Sequence, residues 1–460
     1  MSRDSNEVSD RNPSPPSEEF ANGNGELLRG DSIGDTVFSK HWVFTSLMTL
    51  LKAVENEDEG KTDGEKEAAN LSGIEIDSDL ENDLCKLWDM TANEDVSLFL
   101  QEWKSPDMLL SVIAKTNAPR VTEICMGILG NMVCTGSISK SLSENDNLVT
   151  LTLSMLSGRD PPTLVETCRF LNTALSHPGS ANRWLTFIKE DEEVFQNLAF
   201  ILQSSTNIDL LHNTVDLIDL ILDSSDEITE KWSSPSLIDG LVEAFKQARS
   251  ERKSTLSVIL HTIQLISVTS LGIDCLVKMN ETIMPILAQY ISDICEEEVI
   301  AIKDQKRALA SSIIVVNSLL RDEDKVSKIL FIDSTSKKLL KNLLKLFQVA
   351  QRDYKRELSQ NSGAILDNDV DGNSNNASKE NETNPVAVIT GDCESSHNAS
   401  EGTAVDSTTQ LLLSSLTSFA RLLLDLSVQN EDVQEALQDK FEEGKDITCL
   451  ELLRELLDST

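Results

Sequence analysis

Residues 119–134, PRVTEICMGILGNMVC, are echoed 43 residues later by residues 162–176, PTLVETCRFLNTALS. Pro119, Glu123 and Cys125 fall on Pro162, Glu166 and Cys168, and Ile128 and Met132 fall on Leu171 and Leu175. Both stretches repeat apolar residues at three and four spacing, as an amphipathic helix requires. Further along, a shift of 47 from Leu171 and Leu175 reaches Ile218 and Leu222, another 45 reaches Ile263, and 53 more reaches Val316. Helical units of about 40–47 residues have the armadillo/HEAT period. One such unit cannot cover its own apolar face, whereas stacked neighbours bury a continuous core. The pattern predicts an all-α, armadillo/HEAT-like helical repeat solenoid of roughly seven to eight units.

Punctuation supports helix after helix. Asp160 precedes Pro161 and Pro162, a capping residue followed by prolines that lose no helical hydrogen bond in the first turn. Asn117 or Ala118 before Pro119, Ser105 before Pro106 and Ser234 before Pro235 mark similar starts. Residues 207–222 place Ile208, Leu211, Val215, Ile218 and Leu222 on one face, and residues 308–320 repeat the register. No strand-type alternation and no Asn-Gly hairpin separates apolar runs.

The 460 residues carry a formal charge of −37, which disfavours broad binding to nucleic acid or to anionic membranes. The acid is concentrated. Residues 1–35 carry −5, residues 55–83 carry −10 and residues 359–408 carry −8. These stretches hold too few apolar side chains to offset the entropy of ordering, and they read as disordered. A helix already starting near Leu80 bounds the second at 55–80. The expected organisation is a disordered N-terminus (1–35), armadillo-like repeats (36–358) with the acidic loop inside them, a disordered acidic insert (359–408), and C-terminal helices (409–460) packing back on the solenoid. No apolar run approaches a membrane span of about 20 residues, and residues 1–35 lack the apolar core of a secretory signal. An intracellular protein, not integral to a membrane, is the expectation.

At residues 84–134 the text LCKLWDMTANEDVSLFLQEWKSPDMLLSVIAKTNAPRVTEICMGILGNMVC resembles the serum-amyloid-A-like (SAAL) family of armadillo-type proteins. SKHWVFTSLMTLL (39–51), DPPTLVETCRFL (160–171) and SSTNIDLLHNTVDLIDLIL (204–222) support it. The resemblance covers residues 36–225 and fades beyond about 235. It implies an armadillo-type fold, no known enzymatic activity, and a nuclear location and link to cell proliferation known for vertebrate members.

Catalytic and metal chemistry finds little footing. Gly60-Lys61-Thr62 lacks the earlier Gly and the strand of a phosphate-binding loop. The eight cysteines form no C-x-x-C pair, and Cys125 and Cys168 sit at equivalent apolar positions, as small buried hydrophobes do. His41, His177, His212, His261 and His397 show no ligand spacing, so neither zinc nor a cofactor is expected. No G-x-S-x-G elbow is present, and nothing places a nucleophile beside a base.

What remains points to partners. Armadillo proteins that grip extended peptides carry W-x-x-x-N. Asn131 matches, but Gly127 stands where the Trp would be. Asn131 reads either as a groove residue bonding a peptide or as a structural Asn capping a neighbouring turn. Trp88 and Trp103, with Trp42, read either as interface hot spots or as core of the N-terminal cap. Residues 337–356, KKLLKNLLKLFQVAQRDYKR, set Leu339, Leu343, Leu346 and Phe347 against Lys338, Lys341 and Lys345, with Arg352 beyond. Basic amphipathic helices bind calmodulin or anionic lipid; in a repeat protein the same pattern also serves as a core-packed helix with a solvated face. Ser14, Ser78 and Ser143 have kinase-site neighbours. The function expected is a non-catalytic protein-binding scaffold with unidentified protein partners on the concave solenoid surface. The alternative is a calmodulin- or lipid-responsive regulator acting through 337–356. Nucleus and cytoplasm are both open, the nucleus by resemblance.

Overall fold

In a computed structural model, residues 31–59, 76–296, 300, 302–320, 334–366, 406–441 and 447–459 are described. They form 21 α-helices and no strand. The chain divides into two units, Met1–Ile283 and Met284–Thr460.

The first unit begins with α1 (Lys40–Glu59), α2 (Ser78–Met90), α3 (Glu94–Glu102), α4 (Ser105–Lys115), α5 (Pro119–Met132), α6 (Gly136–Ser143), α7 (Asp146–Ser154) and α8 (Pro161–Ser176). It continues with α9 (Ala181–Glu190), α10 (Glu192–Ser204), α11 (Ile208–Ser224), α12 (Asp226–Trp232), α13 (Pro235–Ala248), α14 (Lys253–Ile266) and α15 (Ser270–Lys278). Helix α16 (Asn280–Cys295) contains the division. The repeat is visible as packing: α2 lies on α5, α5 on α8, α8 on α11 and α11 on α14. Ile128, Leu171, Ile218 and Ile263, chosen by the sequence period, are all buried in this row. A second row pairs α4 with α7 and α10 with α13.

Local chemistry sets the helix ends. The Asp160 carboxylate accepts from the Thr163 amide at 3.0 Å, and Asn207 accepts from Leu210 at 2.9 Å, each satisfying a first-turn donor. Ser234 caps α13 through Leu237 as expected. One start differs from the sequence expectation, and another is decided between its two candidates. Ser105 is the first residue of α4, and the cap position is Lys104 at φ +55°, with no capping side chain. Ala118, not Asn117, precedes α5, and its side chain offers no acceptor.

The second unit contains α17 (Lys306–Leu319), α18 (Ser334–Leu366), α19 (Ser407–Gln429), α20 (Glu431–Gln438) and α21 (Cys449–Asp458). Helix α19 packs on α17, α18, α20 and α21, and α21 also packs on α18. Between them Ile313, Val316, Leu343, Phe347, Leu416, Phe419 and Leu453 are withdrawn from solvent as the apolar core of the unit. Among the described residues, α19 is the helix long and apolar enough to cross a membrane. Here its Leu412, Leu416, Phe419 and Leu423 are buried in the unit.

The acidic readings meet the structure only at their edges. Helix α1 runs on through Glu59 and α18 through Leu366, while α19 starts at Ser407. Extending an established helix costs far less than starting one, so polar residues are carried at its ends. Ile33 is buried, inside the stretch read as disordered. The rest of those readings, residues 1–30, 60–75 and 367–405, lies outside the described residues.

Candidate functional site: a polar helix face

The row α2–α5–α8–α11–α14 buries one side and presents a polar side. Its first half is a chain of ion pairs. Arg120 of α5 donates from Nε to Glu81 of α2 at 2.7 Å, and its Nη1 lies 2.9 Å from Glu123. Arg169 of α8 donates from Nε to Glu166 at 2.8 Å and from Nη1 to Asn131 Oδ1 at 3.2 Å. Burial raises the Glu166 carboxyl, and Arg169 opposes that shift.

The second half is richer in carboxylates. Asp209, Asp216, Asp219 and Asp223 all lie on α11, which carries no Lys or Arg. Arg252 pairs with Asp209 at 2.8 Å. His261 Nδ1 lies 2.8 Å from Asp219 Oδ1, and Thr262 donates to the same oxygen at 2.9 Å. His212 Nε2 lies 3.4 Å from Asp216 Oδ2. Burial, with the neighbouring Asp219, pushes the Asp216 carboxyl up to about 6, while Arg252 opposes. Three buried acceptors here meet no donor among the described residues: Asn172 Oδ1 on α8, Asp216 Oδ1 on α11 and Gln264 Oε1 on α14. Buried polar atoms usually find partners, and these three lie on consecutive helices of one row.

Asn131 is brought to this row but is spent inside it. Its Nδ2 donates to the Trp88 carbonyl at 2.9 Å and to Thr91 Oγ1 at 3.1 Å, closing the last turn of α2. Since its Oδ1 takes Arg169, the peptide-gripping reading gives way to the capping one. Gly127 has a clear reason. A Cβ there would sit 2.1 Å from Trp88 Cε2, so only glycine admits the indole. Trp88 is therefore half-buried packing, while Trp103, 55% exposed, meets Phe44 edge-on at 4.7 Å and stays available at the surface, away from Asn131's bonds.

The basic helix falls in the second unit, as part of α18. Lys337 pairs with Asp439 at 3.0 Å and Lys338 with Glu296 at 2.5 Å. Lys341 and Lys345 are half-buried, and Arg352 remains exposed. Leu339, Leu343, Leu346 and Phe347 are all at most 2% exposed. The apolar stripe that calmodulin or a bilayer would take is already covered, so the regulator reading is corrected: the stripe is core. Ser143 is also corrected as a phosphosite, because it is buried and donates to the Lys140 carbonyl at 2.7 Å. Ser78 is exposed at the first residue of α2, and Ser14 lies outside the described residues.

No sequence motif singles out Arg120, Arg169, Asp216 or Asp219, and His261 stands there only as a histidine without ligand spacing. The available signal was a separation near the repeat period, 39 for Glu81–Arg120, 38 for Asn131–Arg169 and 42 for Asp219–His261.

Comparison with known proteins settles the kinship. A family model described as the SAAL1 C-terminal domain matches residues 194–459. The chain is 40% identical to "Protein saal1" of Danio rerio over 67% of its own length and 68% of the relative's. It is 36% identical to the Mus musculus protein over 67% of this chain and 70% of that one, and 34% identical to the Homo sapiens protein over 75% and 78%. This chain belongs to the SAAL1 family. The kinship reaches further than the sequence motifs: the SAAL1 match occupies the region beyond residue 235, where the motif resemblance fades. A solved engineered protein aligns over 90% of this SAAL1-family chain and 98% of its own, at 13% identity and a TM-score of 0.44. That likeness adds nothing to what the helix rows show.

Proposed function

We propose that this SAAL1-family chain is a non-catalytic protein-binding scaffold. The polar face of α5, α8, α11 and α14 is its contact surface. The carrying observation is the carboxylate row of α11, a helix with no Lys or Arg, whose Asp209 and Asp223 are exposed. A repeat row shows a partner many small polar contacts spread over a long surface, the way solenoids bind. The carboxylates of α11 favour a partner that brings cations. A nuclear or cytoplasmic place of work and a tie to proliferation accompany this reading through the family resemblance.

The test is proximity labelling with the full chain, repeated with Asp209→Lys and Asp223→Lys together. Both side chains are exposed and losing the surface pair Asp209–Arg252 costs about 1 kcal/mol or less, so the circular-dichroism melt should shift by only a few degrees. The expected outcome is a set of labelled proteins lost selectively in the double variant. Identical labelling by both chains would remove this face from the binding surface.

A further inference from the structure

The second unit carries a groove that the scaffold reading does not use. It is a cavity of about 530 Å³ between Tyr354 of α18 and the outer side of α19, lined there by Ser414, Thr417, Ser418, Arg421 and Asp425. The size is that of a site for a small ligand or a few peptide residues. The floor offers hydroxyls and one guanidinium. Arg421 is exposed and has no ion-pair partner among the described residues. Beside Tyr354, α18 exposes Arg352, Lys355 and Arg356 against Asp353. With Asp425 counted, this corner of a strongly acidic chain is locally cationic. A guanidinium among hydroxyls suits a carboxylate, which it can hold through two parallel hydrogen bonds.

The chain itself brings carboxylates to this place. Lys306, 5% exposed, donates from Nζ to Glu357 of α18 at 2.9 Å and to Asp406 at 3.2 Å, with Thr409 of α19 at 2.5 Å. This buried lysine holds the first turn of α19 beside α18, three residues past Tyr354. The chain therefore leaves α18 after Leu366 and returns at Asp406, at one end of the groove. The 39 residues between, 367–405, contain eight acidic residues and one basic. Fully extended they could span about 130 Å, so reach is no obstacle. Tethering of this kind gives a local concentration on the order of millimolar, enough for a contact that would be weak between separate molecules.

We propose that the groove between α18 and α19 is a docking site for an acidic extended segment, and that residues 367–405 of the same chain occupy it, with a carboxylate on Arg421. The proposal is independent of the polar face in the first unit.

The experiment uses the full chain with Arg421→Lys, which keeps the cation and supplies an amine. A zero-length carbodiimide then joins an amine to any carboxylate in direct contact, and peptide mapping locates the bond. The expected result is coupling of position 421 to acids of residues 367–405. Its yield should be independent of protein concentration and fall about tenfold between low salt and 0.5 M salt, as screening requires. Changing the eight acids of 367–405 to Asn or Gln in the same chain should abolish it while the circular-dichroism spectrum stays the same. Coupling only to carboxylates outside that segment, or a yield that rises with protein concentration, would overturn the proposal. The second of these outcomes would assign the acidic segment to another molecule.

Discussion

Asn131 shows how one residue's role is decided by its neighbours. Its carboxamide closes α2 through Trp88 and Thr91 and receives Arg169. Asn131→Ala should therefore lower stability by about 1–3 kcal/mol, read as a shift of the urea midpoint, because a carbonyl inside the helix row loses its donor. A midpoint equal to that of the unaltered protein would mean that these bonds contribute nothing net. Asp216 carries the opposite sign. Its carboxyl titrates near 6 when folded, above the ordinary value of 3.8, because burial disfavours its charge. Ionising it thus costs the folded state stability above that range. The penalty is fully present at pH 8, fades as pH falls through 6 and is gone below about 4. Asp216→Asn should stabilise the protein by about 1 kcal/mol at pH 8, a figure reduced for the carboxylate's solvent access, and change little at pH 4. Denaturation at the two pH values measures the difference.

Among the elements, α18 is the instructive helix. Its basic stripe and its apolar stripe were both readable in residues 337–356, since leucines at three and four spacing announce an amphipathic helix of any kind. What covers the apolar stripe was not readable, because α19 and α21 come from sequence 41 residues or more further on. Leu343→Ala and Phe347→Ala should each cost about 2–5 kcal/mol, the range for emptying a packed core position. Exposed Lys355→Ser should stay within about 0.5 kcal/mol. The contrast is measured by chemical denaturation, and equal small effects would argue that the stripe is not packed. The same helix explains why a calmodulin-type site cannot be inferred from pattern alone: the ligand needs the face that the core has taken.

The cysteines report on the molecule as a whole. Burial pushes Cys125 and Cys168 up to about 12, so neither offers thiolate at neutral pH. Cys85, Cys275 and Cys449 are buried too, whereas Cys134 is exposed. Among the described cysteines, Cys134 should react with a thiol reagent in the native protein within minutes. The buried ones should wait for denaturant, and Cys134→Ser should remove one fast equivalent. Fast reaction of Cys125 or Cys168 would contradict the row α5–α8.

The all-α class, the repeat period and the residues that line the buried side of α5, α8, α11 and α14 follow from the linear text alone. Periodicity is a local property: each helix must put its apolar residues on one side, and the spacing records that requirement. Long motifs such as residues 84–134 carried the family kinship in the same way. Which polar residues are spent and which are left over is a matter of packing. Asn131, Ser143 and the α18 leucines look available in the linear text, yet each is taken by groups about 40 residues or more away or by its own helix turn. Arg421 and Asp223 look ordinary there, yet they are left facing outward. A hydrogen bond or an apolar contact belongs to a pair. The sequence names the first member, and the folded chain supplies the second.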